Sequence, residues 1–417
     1  MIVMNEDDFI IKTIEAGSVF TPGAPIDDKE LFANRAEHLP RVVDTIIRPG
    51  LHAIMFGERG VGKTSLANMI QNFMPEKKHF YCIRVNSAAL INFTEIWRDI
   101  FRSMDFHMKK IGYLPQDDEV RAAVLHYIDQ DNPVQITPLD VRFVISQMPS
   151  HRVVIVIDEF DRIEDEETIS KMADTIKNLS DSSMKVTLIL VAVADSVLSL
   201  INKHPSLSRA LVQIRLPRMS DSELRQIITK GMSRLGMTID LPVIDRIVEL
   251  SRGLPHYTHL LALESVISAL QDQRLHVDYS DLDNAITAAF DKTTESTKAT
   301  YLNAVETPRG QHYHTVLLGC ALAKVDERGY FAPSDVRQAL KDYLGVDFAL
   351  TRFNKHLHQF ASDAKGNILT KVGSKNKFKY RFKDPIMQPY VTLEGIKSGR
   401  IDKGWKDQEK LPLETTV

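Results

Sequence analysis

Residues 57–64, Gly-Glu-Arg-Gly-Val-Gly-Lys-Thr, combine glycines, a lysine and a hydroxyl at spacings suited to holding phosphate groups. The stretch fits the pattern G-x-x-x-x-G-K-[ST] and lies between a predicted strand and a predicted helix. Its backbone amides can surround the phosphates, while Lys63 contacts their oxygens and the Thr64 hydroxyl binds Mg²⁺. The sequence therefore predicts a nucleotide site made of Gly57, Glu58, Arg59, Gly60, Val61, Gly62, Lys63, Thr64 and Ser65.

Two adjacent carboxylates, Asp158 and Glu159, follow the apolar run Val-Val-Ile-Val-Ile. Because such a run predicts a buried strand, both side chains are expected at the strand's carboxyl end. Asp158 is placed to hold the magnesium shell, and Glu159 can act as the general base that polarises an attacking water. The acids at positions 161 and 164–167 are interpreted as a solvated face.

The composition limits the class of protein. A chain of 417 residues can form two or three domains, and its net charge of −3 gives no chain-wide attraction to nucleic acid. The acidic N-terminus does not resemble a signal peptide, and no apolar run reaches membrane-spanning length. Cys82 and Cys320 are too far apart to indicate a disulfide framework or a zinc site. We therefore expect a cytoplasmic protein without membrane contact.

Apolar runs alternate with helical patterns over residues 31–217 and predict an α/β domain there. This domain would position the phosphate motif and the two carboxylates. Near-continuous Val, Ile and Leu indicate a parallel sheet covered by helices. The stretch 87–150 is interpreted as a helical insertion, and residues 1–30, rich in Pro and Gly, as an extended arm. The candidate strands are 52–57, 80–86, 153–158, 186–194 and 211–216.

Helical patterns dominate the rest of the chain. Ser220 and Glu223 form a capping box that opens an all-α domain over residues 218–290. Residues 291–395 contain helical patterns followed by two strands joined by a polar turn, which is typical of a winged helix-turn-helix. The polar tail, residues 396–417, is predicted to be disordered.

Together these motifs resemble the AAA+ superfamily of P-loop ATPases, and within it the origin-recognition (ORC-like) initiators, with STAND-like features in the helical lid. The resemblance covers about residues 20–385, and the phosphate motifs are its most specific part. The chain lacks the N-K-x-D motif of GTPases and the L-S-G-G-Q segment of ABC ATPases. The resemblance implies an AAA+ sandwich, a lid and a winged helix, with ATP or ADP and Mg²⁺ bound between sandwich and lid.

The resemblance also implies residues that border the adenine. They are Phe32, Arg35 and Glu37 of the entry helix, together with Pro25 and Ile26 of the arm before it. Packing of an amphipathic helix is the alternative reading of these positions.

Asp195 and Ser196 occupy the place of the first AAA+ sensor, although that family usually has a neutral polar residue there. The alternative is that Asp195 caps the next helix.

Arg209 matches the family's arginine that reaches a neighbouring subunit's nucleotide, with Arg215 and Arg218 as weaker candidates. A guanidinium suits this task because it stays charged and can contact two phosphate oxygens. The resemblance therefore implies a homo-oligomer with an inter-subunit site.

The lid departs from the initiator pattern at Gly253-Leu254-Pro255-His256. This stretch resembles the G-x-P motif of STAND ATPases, whose proline packs near adenine, so Pro255 and His256 are expected to border the nucleotide. Since the charge of His256 depends on pH, the lid lacks a permanent cationic sensor. Slow, switch-like turnover is the consequence.

Near the C-terminus, aromatic and basic residues alternate over 377–382, so one strand face is aromatic and the other basic. The aromatic face is expected to pack on the helices, leaving the basic face for phosphates of duplex DNA. The alternative is a hairpin that docks on the ATPase domain or on a protein partner. The predicted DNA-binding residues are Arg352, Lys355, Lys371, Lys375, Lys377 and Lys379.

These features favour a protein that binds and hydrolyses ATP and couples nucleotide state to oligomerisation and DNA engagement. One alternative is a STAND-like regulatory or defence switch whose winged helix contacts protein. Another is a transposon-type AAA+ adaptor that recruits a separate enzyme.

Overall fold

The computed structural model describes residues 6–33, 35, 38–73, 80–87, 92–110, 125–128, 134–147, 152–193, 204–306, 312–326, 328–374 and 377–401. The chain divides into two compact units. The α/β unit comprises Pro25–Glu58 and Gly62–Leu216, and the helical unit comprises Met1–Ala24, Arg59–Val61 and Pro217–Val417.

A five-stranded sheet in the order β2-β3-β4-β1-β5, with every pair parallel, forms the centre of the α/β unit. Its strands carry apolar residues on both faces, and Ile54, Ile155 and Leu190 are fully buried. The predicted parallel sheet is thereby confirmed. The strands are β1 (His52–Gly57), β2 (Phe80–Asn86), β3 (Arg152–Asp158), β4 (Val186–Val193) and β5 (Leu211–Arg215).

Helices cover this sheet, and the described part of the predicted insertion is helical. Trp97 and Phe101 of its first helix join the core beside the sheet. The last helix of the insertion begins with a capping box between Thr137 and Asp140. The helices are α2 (His38–Ile47), α3 (Lys63–Phe73), α4 (Phe93–Lys110), α5 (Pro138–Ser146) and α6 (Glu166–Asp181).

The N-terminal segment differs from its prediction, because Glu6–Val19 forms a helix, α1, instead of an extended arm. Acidic residues in its first turn complement the helix dipole. Phe20 follows the helix and is buried, and a Cβ added at Gly231 would lie 2.3 Å from its ring. Pro22, Gly23 and Pro25, which suggested an extended arm, follow the end of this helix at Val19.

Four helices and a short two-stranded parallel sheet, β6 (Thr238–Ile239) with β7 (His276–Val277), form the first part of the helical unit. The predicted capping box is present, since the Glu223 amide donates to Ser220 Oγ at 3.3 Å and the Ser220 amide donates to Glu223 Oε2 at 2.8 Å. The helices are α7 (Asp221–Leu235), α8 (Leu241–Ser251), α9 (Pro255–Gln271) and α10 (Tyr279–Asp291).

Helices followed by an antiparallel hairpin give the last part the arrangement of a winged helix. Strand β8 (Leu369–Val372) pairs with β9 (Lys379–Phe382), and Tyr380 exchanges backbone hydrogen bonds with Phe331. Tyr380 and Phe382 are buried, as expected for the aromatic face. The helices are α11 (Glu295–Val305), α12 (Tyr313–Leu322), α13 (Pro333–Leu344), α14 (Leu350–Phe360) and α15 (Met387–Lys397).

The start of the predicted disordered tail is ordered. Helix α15 continues to Lys397, and Ile401 is buried. Residues 402–417 lie outside the described residues, so the rest of that prediction is untested. Of the helices described, none combines the length and apolarity required to cross a membrane.

Two buried histidines, one in each unit, make acid destabilisation a testable property. His52 Nδ1 accepts the Leu188 amide at 3.0 Å, and His259 Nδ1 accepts the Thr21 amide at 3.3 Å. Burial lowers the pKa of each imidazole to about 4, and for His259 the neighbouring His256 adds to the effect. Because the unfolded chain titrates near pH 6.5, it binds more protons than the folded chain between those values.

We therefore expect stability to be full above pH 6.5 and to fall as the pH decreases toward 4, by about 3 kcal/mol for each histidine. Urea unfolding followed by circular dichroism across this range measures the loss. The variant His259→Asn keeps an acceptor near Nδ1 but cannot gain the proton, so its pH dependence should be shallower. An unchanged pH dependence in this variant would contradict the assignment.

Candidate functional site

The phosphate-binding stretch forms a loop between β1 and α3. Gly57 ends β1, and α3 begins at Lys63. Gly60 and Gly62 have φ angles of +82° and +90°, in the left-handed region that glycine adopts without strain. The first helical hydrogen bond runs from the Leu66 amide to the Gly62 carbonyl at 3.0 Å. The loop therefore leads into a helix N-terminus, where backbone amides favour an anion.

Polar side chains at the start of α3 are already held in place. Lys63 Nζ donates to the carbonyls of Gly57 at 3.1 Å and Glu58 at 2.8 Å, so its ammonium lies against the loop. Ser65 Oγ accepts the amide of Ile26 at 3.2 Å, which ties the arm to this helix. The side chain of Thr64 is partly exposed.

Asp158 is a buried carboxylate at the carboxyl end of β3, with 3% of its surface exposed. Arg84 Nη2 donates to Asp158 Oδ2 at 2.7 Å, and the Glu159 amide donates to Oδ1 at 2.9 Å. Arg84 also contacts Asn68 and Asn86. Arg84 was not among the predicted site residues, and the sequence signal for it is a charged side chain inside a largely apolar strand.

Glu159 follows in a strained backbone conformation, with φ +56° in the left-handed region. Such strain costs about 1–3 kcal/mol and is frequent at functional sites. Its Oε2 accepts from Arg162 Nη1 at 2.7 Å, and both side chains are about half exposed. An exposed pair of this kind adds little stability, and it leaves the carboxylate within reach of water.

The sequence suggested that the acids after Glu159 form a solvated face, but two of them also hold parts of the backbone in place. Asp161 Oδ1 accepts the Val193 amide at 3.0 Å and fixes the end of β4. Asp165 caps α6 by accepting the amide of Thr168 at 2.9 Å. Its hydrogen bonds with Thr168 hold the pKa of Asp165 below its usual value.

The sheet brings the phosphate loop and Asp158 to one edge. Strands β1 and β3 are both parallel to β4, which lies between them, so their carboxyl ends point the same way. Gly57 and Asp158 end these two strands.

Arg209 lies at the opposite edge of the same sheet, where strands β1 and β5 begin. It is exposed and ends a short 3₁₀ helix, Pro205–Arg209, just before β5. Leu211 of β5 pairs with His52, the first residue of β1, whereas the phosphate loop begins at Gly57, the last. The strand between them spans roughly 17 Å, which exceeds the length of an arginine side chain.

The two rival arginines have different surroundings. Arg215 pairs with Phe56 in the sheet and so lies at the edge of the phosphate loop. Arg218 Nη1 donates to the Arg252 carbonyl at 3.1 Å and to Gln388 Oε1 at 2.7 Å, within the helical unit. Asp195 and Ser196 lie outside the described residues, so the first-sensor prediction stays untested.

Comparison with known proteins decides the family. A sequence model described as novel STAND NTPase 1 matches residues 25–318, more than half of the chain. The protein belongs to this STAND NTPase family. The predicted likeness to P-loop ATPases with STAND-like features is therefore confirmed.

Solved structures are similar to this STAND NTPase at low sequence identity. The Walker-type ATPase of Pyrococcus abyssi matches with a TM-score of 0.54 and 16% identity, over 89% of this chain and 99% of its own. Cdc6p of Pyrobaculum aerophilum matches with a TM-score of 0.47 and 15% identity, over 93% and 99%. The Aeropyrum pernix ORC2 protein matches at 0.46 and 16%, over 92% and 98%. No curated protein matches the chain.

The residues predicted to border the adenine belong to both units. Arg35 and Phe32 of the STAND NTPase are buried in the α/β unit, and Glu37 lies outside the described residues. In the helical unit, Pro255 opens α9, and His256 Nδ1 lies 2.7 Å from the Pro22 carbonyl oxygen. Their roles toward nucleotide stay predictions.

The basic face of the hairpin is less free than expected. Lys379 Nζ forms an ion pair with Asp326 at 2.9 Å. Lys371 Nζ lies 3.7 Å from the centre of the Phe378 ring. Lys355 and Lys377 are exposed. Lys375 and the side chain of Arg352 lie outside the described residues.

Proposed function

We propose that this STAND NTPase binds ATP with Mg²⁺ at residues 57–65 and hydrolyses it slowly, and that the nucleotide state controls assembly and contact with duplex DNA. The observation that carries the proposal is the sheet order, which puts the phosphate loop and Asp158 at one edge and Arg209 at the other. One edge offers a binding site and the other offers a group for a neighbour's site.

The donor set at the loop edge fits magnesium. Thr64 offers a hydroxyl and Asp158 a carboxylate, the hard oxygen ligands that Mg²⁺ takes together with nucleotide phosphates. The ion would neutralise charge on the phosphates. In the structure Arg84 Nη2 pairs with Asp158 Oδ2 at 2.7 Å, and the same carboxylate would hold the magnesium shell.

Glu159 is the proposed general base. Its backbone follows Asp158 directly, and its half-exposed carboxylate can accept a proton from water once Arg162 releases it. Because that ion pair is exposed, releasing it costs little.

Arg209 is proposed to act on the nucleotide of a second subunit. It cannot reach its own loop along the strand, and it is exposed on the surface. A guanidinium supplied in trans stabilises the charge that develops during phosphoryl transfer. The proposal therefore requires a homo-oligomer, in which ATP favours assembly.

The switch-like character follows from Pro255 and His256 at the start of α9. Histidine carries a charge only when protonated, so this helix start provides no permanent cation toward phosphate. We propose that hydrolysis is slow for this reason and that the ATP-bound form persists.

DNA contact is the proposed output, and the exposed lysines Lys355 and Lys377 test it. The double variant Lys355→Gln/Lys377→Gln should weaken binding of a labelled duplex. The negative slope of log affinity against log salt should become shallower by about 2. Fluorescence anisotropy with ATP and with ADP measures both. The matched control Lys177→Gln/Lys185→Gln removes two exposed charges from the α/β unit and should bind as the unaltered protein does.

A second function, with a protein as the partner of the hairpin, is favoured by the internal contacts of Lys379 and Lys371. These lysines are engaged within the winged helix itself. If the duplex does not bind at low salt while ATP still drives assembly in sedimentation, this second function replaces DNA contact.

A further inference from the structure

Arg84 of β2 contacts both elements that carry the proposed magnesium ligands. Its Nη2 atom donates to Asp158 Oδ2 at 2.7 Å, on the neighbouring strand β3. Its Nη1 atom donates to the side-chain amide oxygen of Asn68 in α3. Asn68 lies one turn after Thr64, on the same face of that helix. The guanidinium therefore joins Asp158 to the helix face that carries Thr64.

The charge of Arg84 is directed at a single carboxylate. In the described part of the chain, Arg84 forms its ion pair with Asp158 alone. Its other hydrogen bonds go to two asparagine amide oxygens, which are neutral. The next acid along the chain, Glu159, pairs with Arg162 instead. Because a guanidinium stays charged at physiological pH, Arg84 and Asp158 together carry no net charge.

Burial makes this pair important for a bound metal. Asp158 is 3% exposed and the side chain of Arg84 is 30% exposed, so water and salt screen the two charges only partly. The Asp158 carboxylate accepts from Arg84 on Oδ2 and from the Glu159 amide on Oδ1. A magnesium ion held by this carboxylate would share it with a permanent cation. The two positive charges repel each other, which lowers the affinity for the metal.

We propose that Arg84 reduces the dependence of nucleotide binding on magnesium, so that ADP stays bound when the metal is absent. This inference rests on the proposed ATP function. With Arg84 in place, Asp158 attracts magnesium less, and without the metal its negative charge repels the phosphates less. Both effects reduce the difference between the affinities with and without magnesium. A site that retains ADP without metal fits slow, switch-like turnover.

Calorimetric titration of ADP into the full-length protein, in magnesium chloride and in EDTA at equal ionic strength, tests the proposal. The ratio of the two affinities is compared between variants, because magnesium changes free ADP equally for all of them. Arg84→Gln should increase this ratio by at least about 10-fold, the contribution of one hydrogen bond between charged groups. The matched control Arg48→Gln removes an arginine from an exposed ion pair with Asp44 in the same unit, and its ratio should be unchanged.

A role limited to orienting Asp158 for the metal predicts the opposite sign. Arg84→Gln would then lower the ratio, and either that result or an unchanged ratio would overturn the proposal. If Arg84→Gln does not fold, the unaltered protein decides, since removal of magnesium should weaken its ADP binding by less than about 10-fold and a larger loss would contradict the proposal. Absence of ADP binding in every one of these proteins, even with magnesium, would instead reject the proposed ATP site itself.

Discussion

Glu159→Gln should lower the rate of ATP hydrolysis by about 10²–10⁴-fold while leaving ATP affinity within a few-fold. Glutamine has the same shape but cannot accept the proton of the attacking water. The left-handed backbone conformation at residue 159 is unaffected by this change, because the two side chains have the same size. Phosphate release under steady-state conditions and binding of a fluorescent ATP analogue measure the two quantities separately.

Glu164→Gln is the matched control for this prediction, since Glu164 is an exposed acid of the same segment. Its turnover should equal that of the unaltered protein. Loss of the Arg162 partner in Glu159→Gln affects only an exposed ion pair, so stability should change by less than about 1 kcal/mol. Full activity of Glu159→Gln would exclude Glu159 as the base.

Arg209→Ala should lower turnover by about 10³-fold, with ATP binding retained. The residue is exposed at the edge of the sheet away from its own phosphate loop, so its loss leaves the binding site of the same subunit intact. The turnover of Arg215→Ala provides the comparison, because Arg215 lies beside the phosphate loop of its own subunit and Arg209 does not. If Arg215→Ala abolished turnover and Arg209→Ala did not, an arginine of the same subunit would be the relevant one.

Local sequence signals predicted the sheet well. Strands β1 and β2 agree with the predicted residues, and β3 and β5 differ by one residue, because continuous runs of Val, Ile and Leu have sharp ends. Strand β4 agrees from Val186 to Val193, and residue 194 of the prediction lies outside the described residues. The capping box at Ser220 and the glycine pattern of the phosphate loop are local as well, and both are present in the structure.

Contacts between distant residues could not be predicted in the same way. Arg84 and Asp158 are 74 positions apart, and Lys379 and Asp326 are 53 apart, so only the folded chain pairs them. The sequence around α1 contains two opposed signals. The acidic residues Glu6–Asp8 favour the start of a helix, whereas the Pro and Gly residues that follow favour an extended chain, and the structure contains the helix.

Glu159 of one subunit and Arg209 of its neighbour are proposed to complete one ATP site. The direct measurement is the ATP turnover of an equimolar mixture of Glu159→Gln and Arg209→Ala proteins, each inactive alone. Mixed oligomers contain sites with an intact Glu159 from one subunit and an intact Arg209 from its neighbour. We predict that turnover reappears on mixing, up to about a quarter of that of the unaltered protein if subunits combine at random. A mixture as inactive as its two components would contradict the inter-subunit site.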